Sequence, residues 1–228
     1  MARHRPEPLL RPLQGRYLER LLPPRGALAA EIERAAERHG WRVVAPAVAR
    51  LWEALATREP GGRIVEVGCG VGYGTLHLAR GAAAGALVAI DDDAAALARA
   101  RDHLGRAGVG ERVELVAGGI GEVAERLAGP FDLAVVDAAR SEPRRALDLL
   151  LPLLRVGGTI AFAGLLADGR IADPARRDDP DPRAAAIEHF NPYLTIHPQL
   201  AAVLLPVGDG VGIAVKRRPT MRELGGPF

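Results

Sequence analysis

The sequence predicts a doubly wound α/β domain, a largely parallel sheet with helices on both faces. Three observations predict it. Short apolar strands alternate with helices between residues 63 and 163. Each strand is a nearly continuous apolar run, as expected of a strand buried on both faces. The first of them, Arg63 to Val67, ends in a cluster of glycines that opens a helix.

A chain of 228 residues, 48% hydrophobic, suits one domain with a sizeable core. We place that domain at residues 16–218, with N-terminal helices in 16–60, a flexible basic arm at 1–15 and a tail at 219–228. No apolar run reaches the 18 residues of a membrane span. Arg3, Arg5, Pro6 and Pro8 begin the chain without the apolar stretch of a signal peptide. The single cysteine, Cys69, excludes an internal disulfide and fits the cytoplasm. The pI is near 9.1 but the formal charge is only +2. Lys216 is the sole lysine among 30 basic residues. With so much Ala, Gly and Arg, this bias reflects a GC-rich genome better than a nucleic-acid surface, so neither nucleic acid nor membrane is expected as a partner.

Taken in order, Tyr17 to Leu22 predicts a short helix stopped by Pro23-Pro24. Leu28, Ile32, Ala35 and Ala36 have helical spacing within Ala27 to His39, and Val48, Leu51, Trp52 and Leu55 within Pro46 to Thr57. Strands follow at Arg63 to Val67, Ala86 to Ile90, Val113 to Ala117, Phe131 to Val136 and Thr159 to Ala163. The helices between them are Thr75 to Arg80, Ala94 to Ala107, Glu122 to Leu127 and Arg144 to Leu154, with a turn at Gly157-Gly158. Residues 167–183 are crowded with Asp, Pro and Arg and read as a loop. A helix from Arg183 to Tyr193 comes next. Ala201 to Leu205 and Gly212 to Lys216, joined through Gly208-Asp209-Gly210, form an antiparallel hairpin.

The chemistry concentrates at Glu66-Val67-Gly68-Cys69-Gly70-Val71-Gly72-Tyr73-Gly74. Glycines there let the backbone turn tightly and approach a ligand, at the strand ends where open α/β sheets bind. Asp91, 23 residues beyond Gly68, ends the next strand and can accept hydrogen bonds from both ribose hydroxyls. A dinucleotide fingerprint needs a third glycine five residues after the first. That position is Tyr73 counted from Gly68 and Thr75 counted from Gly70, so neither register fits. Glu66 would repel a pyrophosphate but suits a cofactor carrying an ammonium and a sulfonium.

Glu66-Val67-Gly68-x-Gly70-x-Gly72 resembles motif I of class I methyltransferases. More narrowly, the chain is similar to the catechol-O-methyltransferase-like family of bacterial and plant O-methyltransferases. Gly72-Tyr73-Gly74 matches the family's Gly-Tyr-Ser, and Phe131 to Ala138 its fourth strand. Leu151-x-x-Leu154-Arg155-x-Gly157-Gly158, Gly169 to Pro174, Phe190-Asn191 and Leu205 to Gly210 continue the match, which runs from about Tyr17 to Lys216. The resemblance implies a seven-stranded sheet with an antiparallel last strand, S-adenosylmethionine as cofactor, a small hydroxylated (phenolic or secondary-metabolite) acceptor and a homodimer joined through the N-terminal helices. By the same resemblance, Glu66, Gly68, Gly70 and Gly72 line the methionine part of the cofactor, with Tyr73 packed on it. Asp91 holds the ribose, Asp92 adds to cofactor hydration or caps the following helix, Gly118, Gly119 and Ile120 border the adenine, and Asp137 lies near the sulfonium. The family's serine is Gly74 here, which leaves the cofactor carboxylate to Thr75 or to backbone N–H groups.

The family's catalytic set is only partly present. Its divalent cation is held by an aspartate after strand four and an Asp-Asn pair after strand five, and a lysine stands three residues beyond the first aspartate. Asp137 keeps the first position, Arg140 replaces the lysine, and Ala163-Gly164 replace the pair. Arginine stays protonated and is a poor base, and Ala and Gly side chains cannot ligate a hard cation. No protein-held metal is therefore expected, with Asn191 the one asparagine left. Asp137 and Arg140 are the catalytic candidates, and Asp168, Asp173, His189 and His197 the candidate bases. Three readings follow: a metal-independent O-methyltransferase, a cofactor-binding regulatory or partner subunit without turnover, and a tRNA methyltransferase.

Overall fold

The computed structural model describes residues 12–137, 142–171 and 181–218. Three helices come first, α1 (Pro12–Arg20), α2 (Ala27–His39) and α3 (Pro46–Thr57). The alternating part follows as β1 (Arg63–Val67), α4 (Tyr73–Gly81), β2 (Ala86–Asp91), α5 (Ala94–Arg106), β3 (Val113–Ala117), α6 (Ile120–Val123), β4 (Phe131–Asp137), α7 (Pro143–Leu153) and β5 (Leu154–Ala163). The chain closes with α8 (Pro182–Ile196), β6 (Leu200–Leu205) and β7 (Val211–Lys216).

All seven strands form one sheet in the order β3-β2-β1-β4-β5-β7-β6. β3, β2, β1, β4 and β5 pair in parallel, and β7 runs antiparallel to both β5 and β6. The strand order reverses between β1 and β4, which opens a crevice at their carboxyl ends.

The apolar runs of the strands serve two cores, because successive residues point to opposite faces. Val65, Val67, Ile90, Ala134, Val136, Ile160 and Phe162 pack with α7 and α8 through Leu147, Leu150, Phe190 and Leu194. Their neighbours Ile64, Leu87, Ala89, Leu133, Val135 and Ala161 pack on the other face with Trp52 of α3, Leu78 of α4 and Leu97 of α5. Each large side chain so buried contributes about 1.5–3 kcal/mol. Asp93 caps α5, its Oδ1 accepting from the N–H groups of Ala95 (2.9 Å) and Ala96 (3.0 Å). Lys216 donates to the carbonyls of Leu151 and Leu154 at the end of α7, both at 2.7 Å.

The structure departs from the sequence reading in several places. α1 takes in residues 12–15, assigned above to the arm, and ends before Leu21; residues 1–11 and 219–228 lie outside the described residues. The stretch Glu122 to Leu127 forms one α-turn at Ile120–Val123 and a 3₁₀ turn at Ala124–Arg126. Gly157-Gly158 is not a turn before β5 but a bulge inside it. The pairing jumps from Phe131↔Leu154 to Leu133↔Thr159, and Gly157 takes φ +80° where the extra residues loop out. α8, with Pro192 inside it, continues past Tyr193 to Ile196, where the Thr195 hydroxyl donates to the Pro192 carbonyl at 2.9 Å.

Candidate active site

The glycine turn leaves β1 at the crevice. Gly68, Gly70 and Gly72 have φ of +84°, +53° and +82°, a backbone that residues with a Cβ rarely adopt. Neighbouring elements pin it. The N–H groups of Gly68 and Cys69 donate to the Ile90 carbonyl at 2.8 and 3.2 Å. His103 of α5 is buried, not solvated as its arginine-rich surroundings imply, and its Nδ1–H donates to the Val71 carbonyl at 2.8 Å. Cys69 is buried against the same turn.

Asp91 holds the turn as well. It is 3% exposed, and its Oδ2 accepts from the Gly70 N–H at 2.7 Å while Oδ1 accepts from the Asp93 N–H at 3.0 Å. A cleft of about 250 Å³ opens beside it, lined by Gly68, Asp91, Asp92, Gly118, Gly119 and Ile120. Apart from Gly68 and Asp92, these are residues assigned above to the ribose and adenine, and the lining is gathered from the ends of three strands. A Cβ on Gly119 would meet nothing within 4 Å, so its face is open to the cleft. Glu142, just before α7, and Arg145 in its first turn complete the lining. The sequence reading missed both, because nothing in the spacing of α7 shows which exposed face overhangs the crevice.

Gly68 also borders a narrow cleft of about 20 Å³, with Trp52, Glu66, Tyr73, Gly74, Asp137 and Ala163. Glu66 projects from β1 into the protein and is 4% exposed. Burial pushes its carboxyl up to about 7, opposed by the hydrogen bond from Thr75 and reinforced by the charges of Asp137 and Asp91. The Thr75 hydroxyl, wholly buried, donates to Glu66 Oε2 at 2.5 Å. Thr75 thus holds the carboxylate in place rather than presenting its hydroxyl to a ligand. A Cβ on Gly74 would stand 2.5 Å from Glu66 Oε1, so the glycine in place of the family's serine leaves room for that carboxylate. Tyr73 is 1% exposed and donates to Glu33 Oε1 of α2 at 2.5 Å. Burial, then Glu33, drive its phenol above the ordinary range, so it is no base.

Asp137 and Ala163 border a third cleft, of about 250 Å³, with Arg42, Val44, Gly164, Asp168 and Asp209. The three clefts therefore form a row across the strand ends. Asp168 carries an ion pair to Arg42 (3.1 Å) and another to Arg183 (2.6 Å). Arg42 first, and Arg183 after it, hold the Asp168 carboxyl below the usual carboxylate range against some desolvation, so Asp168 is a poor base. His189 is exposed on α8 and His197 packs edge-on against Tyr193, its centroid 5.4 Å away; neither borders the three clefts. Arg140 and Asp173 lie outside the described residues.

The described residues around Asp137 do not fit a protein-held divalent cation. Asp137 faces Ala163 and Gly164, which offer no side-chain oxygen, and Asn191 donates its amide to the Leu165 carbonyl at 3.0 Å. Among the described residues no three His, Cys, Asp or Glu side chains gather closely enough to hold a metal ion. The cofactor site is different in kind: a buried carboxylate, an acid at the end of β2 and an open glycine-walled cleft suit a ligand that joins an ammonium, a diol and a flat ring.

Comparison with known proteins agrees with this geometry. The model of the family described as O-methyltransferase matches residues 32–217. The chain is 33% identical to a putative O-methyltransferase of Mycobacteroides abscessus over 192 residues, 83% of this chain and 87% of that protein. It is 34% identical to a catechol O-methyltransferase of Mycobacterium tuberculosis over 162 residues, 68% and 72% of the two chains. A putative caffeoyl-CoA O-methyltransferase from Staphylococcus aureus shares the fold, with a TM-score of 0.82 at 20% identity, covering 90% of this chain and 99% of the other. No described helix is long and apolar enough to cross a membrane. The chain belongs to the O-methyltransferase family and is an S-adenosylmethionine-dependent enzyme of it.

Proposed function

We propose that this enzyme methylates a hydroxyl of a small phenolic acceptor bound in the cleft beside Asp137, without the family's divalent cation. One observation carries the reading. The row of clefts that begins at Asp91 ends at Asp137, and beside Asp137 on the neighbouring strand end stand Ala163 and Gly164 rather than a ligand pair. The relative named for catechol supports a phenolic acceptor.

In this reading Glu66, steadied by Thr75, holds the ammonium of S-adenosylmethionine, and Asp91 with Asp92 holds its ribose. Gly68, Gly70 and Gly72 give the backbone room, Tyr73 flanks the methionine chain, and Gly118, Gly119 and Ile120 border the adenine. The cofactor supplies a methyl carbon activated by a positively charged sulfur. With the cofactor bound, transfer to an acceptor oxygen would form a C–O bond at the expense of the S–C bond, the electron pair passing to sulfur. The chain's own contribution is to align that oxygen with the methyl group and to exclude water, worth several kcal/mol of barrier. Asp137, shared by the narrow and acceptor clefts, marks where the two meet.

We also infer a cytoplasmic homodimer. Leu13, Tyr17, Leu18 and Leu21 of the N-terminal region are 49–72% exposed, an apolar face suited to a second copy, and the one cysteine is buried.

Titration calorimetry of S-adenosylmethionine and S-adenosylhomocysteine, with and without magnesium, tests the reading together with transfer assays on a panel of phenols. Binding and transfer that persist in a chelator support it. Transfer that needs added magnesium refutes the metal-free part, and binding with no transfer to any phenol favours a regulatory subunit.

A further inference from the structure

The acceptor cleft contains a cation that motif comparison passes over. Arg42 lies in the segment between α2 and α3, which the turn at Gly40 carries across the strand ends. It borders both the narrow cleft of Glu66 and the open cleft of Asp168 and Asp209, as Asp137 and Ala163 do. Its guanidinium is fixed from one side: Nη2 lies 3.1 Å from Asp168 Oδ1, and Asp168 is held in turn by Arg183 at 2.6 Å. The fold spends effort on this clamp. Ala167 and Asp168 both take the left-handed backbone, with φ of +50° and +57°, and the Asp168 N–H donates to Asp209 Oδ2 at 2.8 Å. Asp137 and Asp209 add their charges to that of Asp168 in keeping Arg42 protonated. Asp168 engages only Nη1 and Nη2, while a guanidinium has five N–H donors, and the Arg42 side chain remains 51% exposed.

Resting on the metal-free reading above, we propose that Arg42 is the catalytic cation that stabilises the acceptor's phenolate, with Asp168 as its positioning residue. A phenol must lose its proton before its oxygen is a good nucleophile. The proton leaves to water through the open cleft, the negative charge stays on the acceptor oxygen, and that charge meets the guanidinium. The oxygen then gives its electron pair to the methyl carbon, while Arg42 keeps its proton throughout. A fixed cation at the edge of a protein interior lowers the acceptor's pKa and so raises the reactive fraction near neutral pH.

The experiment measures kcat/KM against pH for the full-length enzyme, Arg42→Gln, Arg42→Lys and Asp168→Asn, each with catechol and with the more acidic 4-nitrocatechol. Calorimetric binding of S-adenosylhomocysteine serves as the control for folding. Arg42→Gln is expected to move the rising limb of the catechol profile upward by about 1–2 pH units. It should lose about tenfold to a hundredfold at pH 7 with catechol, much less with 4-nitrocatechol, and keep its S-adenosylhomocysteine affinity. Arg42→Lys should recover part of the loss, and Asp168→Asn should show a smaller shift of the same sign. An equal loss on both acceptors with the profile unmoved overturns the proposal. So does a loss confined to KM for 3,4-dihydroxybenzoate, which would make Arg42 a carboxylate-recognition residue, or a profile that moves in Arg140→Gln instead. Wild-type activity abolished by a chelator would remove the underlying metal-free reading, whereas chelator-resistant activity with an unmoved Arg42→Gln profile would remove the Arg42 proposal alone.

Discussion

Glu66 makes a quantitative prediction about the cofactor. Its carboxyl titrates near 7 in the folded protein, against an ordinary 4.5, with burial as the main cause. That difference is about 3 kcal/mol of preference for the protonated form. Between pH 4.5 and 7 the folded state binds a proton that the unfolded chain has given up, so this group's contribution is fully present below 4.5 and fades as pH rises through 7. An ammonium placed against Glu66 reverses the preference, and binding should expel the proton. At pH 6, where an α-amino group is fully charged, about 0.9 of a proton should leave per cofactor bound. Calorimetry of S-adenosylhomocysteine in two buffers of different ionisation enthalpy reads that number directly. Glu66→Gln should abolish the release and weaken binding by about a hundredfold, as expected when a buried charge loses its partner. The same variant should be more stable at pH 8 by up to about 3 kcal/mol, because no buried carboxylate then has to ionise. Proton release near zero at pH 6, or release unchanged in Glu66→Gln, would refute the assignment of Glu66 to the ammonium.

Other predictions concern the scaffold around the site. Gly74→Ser restores the family's residue yet should weaken S-adenosylhomocysteine binding by tenfold or more, since a Cβ 2.5 Å from Glu66 Oε1 displaces the carboxylate; affinity equal to wild type by calorimetry would count against it. Asp93→Ala removes two N-cap hydrogen bonds and should cost about 1 kcal/mol in urea unfolding. Trp52→Ala empties a site only 1% exposed between α3 and the sheet, and should cost about 3–5 kcal/mol by the same measurement.

Much of the fold was legible because its signals are local. α2 and α3 coincide with the segments read from apolar spacing, and β1 and β3 with the runs of apolar residues. Where local signals compete, the reading erred. Gly157-Gly158 has the composition of a turn, but the pairing of β5 with β4 on both sides of it absorbs the extra residues as a bulge. The helix read as ending at Tyr193 runs on to Ile196, with Ile187, Phe190 and Leu194 anchoring it on the sheet. His103 follows an exposed-looking pattern, and only the docking of α5 on the glycine turn buries it.

The candidate site divides along the same line. Gly68, Asp91 and Gly118 are legible because a parallel sheet must bring consecutive strand ends to one edge, so distance in sequence converts directly into position. Arg42 has no such address. It precedes the alternating part of the chain, lies 95 residues from Asp137 and 126 from Asp168, and reaches them only because α3 packs on the face of the sheet that carries Glu66. The clamp on it is equally silent in sequence, since Ala167-Asp168 gives no hint of a left-handed backbone. Motif comparison therefore finds what a family shares, the cofactor end, and reports the acceptor end as a list of missing ligands. On the metal-free reading proposed here, positive charge is removed from the place where an oxyanion forms. A replacement has only to restore that charge, from any element that overhangs the cleft, and so need not appear at the position of the residues that were lost.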